Sequence, residues 1–155
     1  WVIIDYLQLI PFGTAKAQTR DQEISKTTKY LKSLTQKLKI PIIALAQVNR
    51  GKNRKKYFLH DLRESGSIEQ DANQVLFLHR PFYYFPDAIS STDVYNNGQK
   101  VEYCNLLNVI IAKARQGKTG DCYLEYIPEI QTINNTIKEI NLFSLIINNL
   151  HFNKN

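Results

Sequence analysis

Trp1-Val2-Ile3-Ile4-Asp5 is an unbroken apolar run that stops at an acid. In sequence, that is the pattern of a fully buried parallel strand with a carboxylate at its C-terminal end. Ligands of open α/β sheets sit at the carboxyl ends of the strands, so Asp5 stands where it can hold a metal ion or order a water on one. The plainer alternative is an ordinary strand ending at a turn-forming Asp. Only the residues downstream separate the two.

Pro11 and Gly13 punctuate an exit from the sheet, and a polar loop runs from Thr14 to Thr19. Between Asp21 and Lys39 the apolar residues Ile24, Leu31, Leu34 and Leu38 recur with Thr27, Thr28 and Thr35 beside them, while Lys26, Lys29, Lys32 and Lys37 take the outer face. That spacing predicts an amphipathic helix with a solvated lysine face. Ile40 to Ala46 reads as a second buried strand, with Pro41 at its start, where a missing donor is tolerated. It runs into Gln47-Val48-Asn49-Arg50. Two strands joined by a helix, both finishing in polar residues, make a βαβ unit with a shared ligand edge.

Arg50-Gly51-Lys52-Asn53-Arg54-Lys55-Lys56 is the most basic stretch, either a solvated surface loop or a basic arm that touches phosphates. In the segment from His60 to Ala72, Ser67 and Gln70 fit a capping box, which predicts a short helix beginning near Ser67. Its start would offer backbone donors to an anion, with Arg63 just before it. Gln74 to His79 reads as a third strand. The aromatic segment from Arg80 to Pro86 is either a loop anchored by its own rings or a place for bases to stack. Residues 87–100 are polar and read as a surface excursion. Leu106 to Ala112 and Cys122 to Tyr126 are two further strands, joined by the turn from Lys113 to Asp121 into a hairpin at the sheet's edge. Ile130, Ile133, Ile137 and Ile140 are spaced for a helix.

At 155 residues the chain has one domain's worth of length, and its hydrophobic fraction of 43% is that of a globular protein. No apolar run is long enough to span a bilayer, and neither a signal nor a transit peptide is visible. Because the chain begins at Trp1 and holds no Met, it is expected to be a piece of a longer protein. A net charge of +6 favours polyanionic partners. Cys104 and Cys122 lack a CxxC spacing and read as reduced, structural thiols. Frequent Asn, Ile, Lys and Tyr point to an AT-rich genome.

Residues 112–119, AKARQGKT, match a loose form of the phosphate-binding loop. Such a loop works because it links a strand to a helix whose N-terminal amides wrap the phosphates. Here Asp121-Cys122-Tyr123-Leu124-Glu125-Tyr126 alternates as a strand does, so the segment is expected to close a hairpin instead.

Taken in order, VIIDYLQL at 2–9, EISKTTKYLKSLTQKLKIPIIALAQVNR at 23–50, DLRESGSIEQDANQVLFLHR at 61–80 and IIAKARQGKTGDCYLEY at 110–126 resemble the C-terminal motor domain of replicative DNA helicases of the DnaB family. The resemblance implies an α/β, RecA-like P-loop NTPase core over residues 1–127, mostly parallel with an antiparallel edge hairpin and incomplete at its N-terminal side, followed by an Asn/Ile-rich tail at 128–155 of unassigned role. It also implies a ring homohexamer that hydrolyses ATP with Mg²⁺ to move 5′-to-3′ along single-stranded DNA, with primase and a helicase loader as partners and no membrane. On that resemblance Asp5 is the Walker B acid that holds Mg²⁺ through water, and Gln47 is the γ-phosphate sensor. Lys113 and Arg115 reach the neighbouring subunit's ATP, where an arginine supplied in trans neutralises charge on the transferred phosphoryl group. Arg63, Glu64 and Gly66 fall in the loop that contacts the DNA backbone. Ala46, Ala114 and Gln116 depart from the Ser, Gln and Asn usual in the family and leave these residues in place.

The same resemblance puts the phosphate loop and the Glu that activates water upstream of Trp1. The phosphate-loop strand would lie between the strand ending at Ala46 and the strand at 74–79, so these residues alone are expected to expose an apolar seam and not to hydrolyse ATP. A non-catalytic, nucleic-acid-binding remnant is the alternative. A recombinase or clock-type ATPase is a third reading, opposed by DLRESGSIEQDA at 61–72. The AT-rich composition, the lack of a visible targeting peptide and the resemblance to a bacterial-type helicase together fit the plastid (chloroplast) stroma as the expected location, with the bacterial cytoplasm as alternative.

Overall fold

The computed structural model describes residues 1–11, 19–48, 56–86, 94–96 and 99–134, with the side chains of 63–65, 94–96 and 99–101 left aside. The chain divides into two compact units: Trp1–Arg50 with Phe58–Val75, and Gly51–Tyr57 with Leu76–Asn155. Among the described residues no helix is long and apolar enough to cross a membrane.

In the first unit, β1 (Val2–Ile4) and β2 (Ile42–Ala44) pair in parallel, with Val2, Ile3 and Ile4 opposite Ile42, Ile43 and Ala44. The parallel strands and the helix between them were legible, but the burial was not. Trp1 is 66% and Ile3 51% exposed, and Val2 and Leu45 are also exposed. A two-stranded ribbon leaves each strand one open edge, so its apolar residues lack the neighbours that a wider sheet supplies.

The connection is α1 (Arg20–Leu38), which starts where the Gln22 side chain accepts the Thr19 amide (3.3 Å) and stops at Lys39 in the left-handed conformation, φ 55°. Asp21 and Glu23 sit in its first turn, against the positive end of the dipole. Its buried residues are Ile24, Thr27 and Thr28. Thr27 satisfies its hydroxyl on the Glu23 carbonyl (3.0 Å). Lys32 does not belong to a solvated lysine face: it is half-buried and donates to Asn73.

The 3₁₀ segment Leu59–Ser65, kinked at Leu62, runs directly into α2 (Gly66–Asp71). The short helix expected near Ser67 is present, beginning one residue earlier, but the capping box is not. With helical turns already upstream, Ser67 lies inside the helix, its buried hydroxyl has no hydrogen-bond partner, and α2 presents no fresh N-terminus to an anion. Thr28 Oγ1 of α1 donates to Asp71 Oδ2 at the end of α2 (2.6 Å).

The second unit is built on a sheet of β3 (Gln74–His79), β6 (Leu106–Ala114), β7 (Gly120–Ile127) and β8 (Thr132–Asn134), in the order β3-β6-β7-β8. β6 and β7 are antiparallel, from Leu106 opposite Glu125 to Ile111 opposite Gly120. AKARQGKT therefore closes a hairpin, as the alternation after it required. Leu107, Val109 and Leu124 form the core, with Leu76, Cys122 and Tyr126 packed against them.

In this unit one expectation gains detail and one fails. The excursion at 87–100 contains paired strands, β4 (Val94–Asn96) and β5 (Gln99–Val101), with 87–93 and 97–98 outside the described residues. Ile130 and Ile133 lie in a 3₁₀ turn and in β8 rather than in a helix, because β8 finds a partner in β7; Ile137 and Ile140 lie outside the described residues.

The aromatic segment forms a one-turn helix, α3 (Pro81–Tyr84), and anchors itself by its rings. Tyr84 stacks on His79 (5.7 Å) and meets the Tyr57 hydroxyl at 2.7 Å, while Tyr57 stacks on Phe77 (5.8 Å). Arg80 lies over the Tyr126 ring, 4.6 Å from its centroid, and donates to the Cys104 carbonyl (3.4 Å). Those contacts commit these rings and this cation to packing.

Candidate functional site

β1 delivers Asp5 to its C-terminal end, and β2 delivers Gln47 three residues beyond its own. Because the strands are parallel and in register, the two polar side chains emerge on the same edge. With Tyr6, Leu45 and Ala46 they line an open depression of about 310 Å³. Both Asp5 and Gln47 are exposed, so an incoming ligand meets them without prior rearrangement of the core.

Gln8, which sequence reasoning did not single out, holds this edge together. Its Nε2 donates to the Gln47 carbonyl (3.2 Å), and its Oε1 accepts the Gln47 amide (3.3 Å). The two bonds lock the main chain of Gln47 while leaving its side chain to the depression. Ladder-like bonds continue the pairing past the strands, from Leu45 N to Ile4 O and from Leu7 N to Leu45 O, both 2.9 Å. Arg20 at the head of α1 donates to the Gln8 carbonyl and pairs with Glu23 (2.6 Å), tying the helix start to the same turn. A glutamine four residues from a strand carries no signal that separates this role from a surface one.

Asp5 is a single, open carboxylate. Among the described residues no three His, Cys, Asp or Glu side chains gather to hold a metal. That donor set fits Mg²⁺, which keeps most of its waters and takes one or two carboxylates plus substrate phosphate oxygens. It does not fit a caged Zn²⁺ or Ca²⁺.

Arg63, Glu64 and Gly66 lie on the first unit too, at the passage from the 3₁₀ segment into α2. Gly66 is exposed, and a Cβ added there would meet nothing within 4 Å, so its bare backbone faces open space. Lys113 and Arg115 belong to the second unit: Lys113 is half-buried near the end of β6, and Arg115 is exposed in the turn before β7. The structure thus gathers Asp5 with Gln47, keeps Arg63, Glu64 and Gly66 as a second cluster, and carries the two cations on the hairpin.

The family model of the DnaB-like helicase C-terminal domain matches residues 1–135. The replicative DNA helicase DnaB of Geobacillus stearothermophilus is 40% identical over 131 residues, covering 83% of this chain and 26% of that protein. A probable replicative DNA helicase of Trieres chinensis is 41% identical over 128 residues, 81% of this chain and 26% of its own length. The chain therefore spans about a quarter of the curated relatives it matches. Among solved structures, an ATPase domain superposes with a TM-score of 0.73 at 34% identity, covering 88% of this chain and 44% of the other. A DnaB-like replicative helicase, whose structure concerns its interactions with primase, gives 0.72 at 34%, covering 88% and 30%. With the family model spanning both units and all three residue clusters, this chain belongs to the DnaB-like helicase C-terminal domain family.

Proposed function

We propose that the chain is part of the ATP-driven motor of a replicative DNA helicase that works as a ring homohexamer on single-stranded DNA. The observation that carries this reading is the pairing of Asp5 and Gln47 on one edge of a parallel ribbon, around an open depression. Asp5 would hold Mg²⁺ through water, and the metal would supply charge neutralisation on the nucleotide's phosphates. Gln47, its main chain fixed by Gln8, would offer its side chain to the terminal phosphate, so that loss of that phosphate would be felt on β2. Lys113 and Arg115, on a stiff hairpin, are the cations offered to a neighbouring subunit's ATP. Hydrolysis would then depend on ring geometry.

Arg63, Glu64 and Gly66 form the DNA-backbone contact in this reading. A guanidinium and an unobstructed main chain recognise phosphates without regard to sequence, as a translocating motor requires. Primase and a loader are the proposed partners, and plastid stroma the proposed location, with bacterial cytoplasm as alternative.

The test is DNA-stimulated ATP hydrolysis and fork unwinding by the gene's full product. Asp5→Asn and Gln47→Ala are each expected to lower the ATPase kcat by about a hundredfold or more, the scale seen when a preorganised electrostatic group is removed. A parent protein that binds single-stranded DNA but shows no DNA-stimulated turnover would discard the motor in favour of a binding remnant.

A further inference from the structure

Phe58 and His60 are both exposed, at 51% and 76% of their area for the residue and the side chain respectively. Their rings nevertheless stack, with centroids 5.4 Å apart and planes 11° from parallel. Two adjacent exposed side chains ordinarily gain little from holding one geometry against their rotamer entropy. Here a buried carboxylate orders the chain that carries them. Asp61 is 4% exposed; its Oδ2 accepts the Phe58 amide (2.8 Å), its Oδ1 lies 3.5 Å from His60 Nε2, and its own amide donates to the Phe58 carbonyl (2.9 Å). One acid thus fixes the entry of the 3₁₀ segment, the main chain from which Phe58 projects, and lies beside the His60 imidazole. The result is a preorganised aromatic surface facing solvent, three residues before Arg63.

We infer that the Phe58–His60 stack is a base-stacking platform for an unpaired nucleobase of single-stranded DNA. The inference rests on the DNA-backbone reading of Arg63, Glu64 and Gly66 and adds a contact of a different chemical kind. Phosphate contacts position a strand, and a flat π-surface beside them holds a base by its face, which every base possesses. The platform is therefore indifferent to sequence. In the chain's aromatic segment the exposed ring of Tyr83 packs edge-on against Tyr84, which is itself committed to His79 and Tyr57. No comparable flat pair is presented there.

The experiment measures fluorescence anisotropy of the gene's full product with a labelled oligo-dT and with an abasic strand of equal length, across a salt series. Phe58→Leu keeps the bulk and removes the π-face; it is expected to weaken oligo-dT binding about tenfold, leave abasic binding unchanged and leave the salt slope unchanged. Phe58→Trp is expected to restore oligo-dT affinity. Arg63→Ala, by contrast, is expected to weaken both strands and to lower the salt slope by about one. Equal affinity of Phe58→Leu and parent for oligo-dT would overturn the platform while leaving the backbone contact standing. An unchanged salt slope in Arg63→Ala, with Phe58→Leu still selective against oligo-dT, would overturn the backbone contact and keep the platform. Equal loss on both strands in Phe58→Leu would mark damage to the fold of the segment and overturn the platform as well.

Discussion

The ribbon β1–β2 and the hairpin β6–β7 are both apolar strand pairs, yet one leaves its apolar residues on an open surface and the other buries them in a core. β1 and β2 have three residues each and place no residue among the fully buried; β6 has nine and β7 eight, and Val109 at their centre is 1% exposed. The distinction does not lie in composition, since Val-Ile-Ile is as apolar as anything in Leu106 to Ile111. It lies in neighbours. β6 has strands on both sides and interlocking side chains from Leu124 and Leu76, whereas β1 has a single partner among the described residues. Apolar residues create the demand for burial, and the sheet order decides whether it is met.

Two substitutions test that contrast directly. Leu124→Ala empties a site that is 3% exposed in the hairpin core and is expected to cost about 3 kcal/mol, whereas Ile3→Ala, half-exposed on β1, is expected to cost under about 1 kcal/mol. Urea titration of both variants, read at constant m, measures the difference. Equal costs would break the contrast and mean that β1 is covered in the protein as assembled.

A smaller effect sharpens the picture of the first unit, where a polar tie joins two helices. Thr28 is 8% exposed, and its bond to Asp71 joins α1 to α2, the helix that Gly66 begins. Thr28→Val keeps the shape and strands the Asp71 carboxylate, for an expected loss of about 1–2 kcal/mol, while Thr28→Ser is expected to retain the bond and most of the stability. Equal urea midpoints for the parent and the Val variant would show that water replaces the hydroxyl without loss.

How much of this was legible in the sequence follows the same division. Local signals with one dominant period were readable: α1, the strand at 74–79 and the refusal of AKARQGKT as a phosphate loop all survive within a residue or two. That Asp5 and Gln47 share one edge was readable from the strand-helix-strand order, because parallel strands bring their C-terminal ends together, whereas the roles expected of them came from the resemblance alone. What escaped depends on distant partners. Ser67 looked like a cap because its own neighbours said so, and it lost that role to turns formed upstream by Leu59–Ser65. Ile133 looked helical until β7 offered it an edge. Gln8 on Gln47, Lys32 on Asn73 and Asp61 on the Phe58 amide and beside His60 are each set by geometry that no spacing encodes.

The smallest effect concerns a titrating group that only the packed region possesses. Cys122 on β7 packs against the cluster of Leu107, Val109 and Leu124, and burial raises its thiol above the ordinary value of 9.0, because a thiolate there would lose its water. The sign follows from linkage. A folded-state value above the unfolded one means that the folded chain holds the proton more tightly, so the associated stability is complete at pH below the unfolded thiol's range and is lost as pH rises toward the folded value. The thiolate is also the form that reacts with iodoacetamide, so alkylation of Cys122 should lag behind that of the urea-unfolded chain at the same alkaline pH. Other groups titrate in this window, so the informative quantity is a difference. Between about pH 7 and about pH 10 the urea midpoint of the parent should fall more steeply than that of Cys122→Ala, which has no thiol to ionise. Parallel slopes, with alkylation as fast in the folded as in the unfolded chain, would mean that β7 opens readily around Cys122, and the hairpin would then lose the protection from solvent that sets it apart from β1–β2.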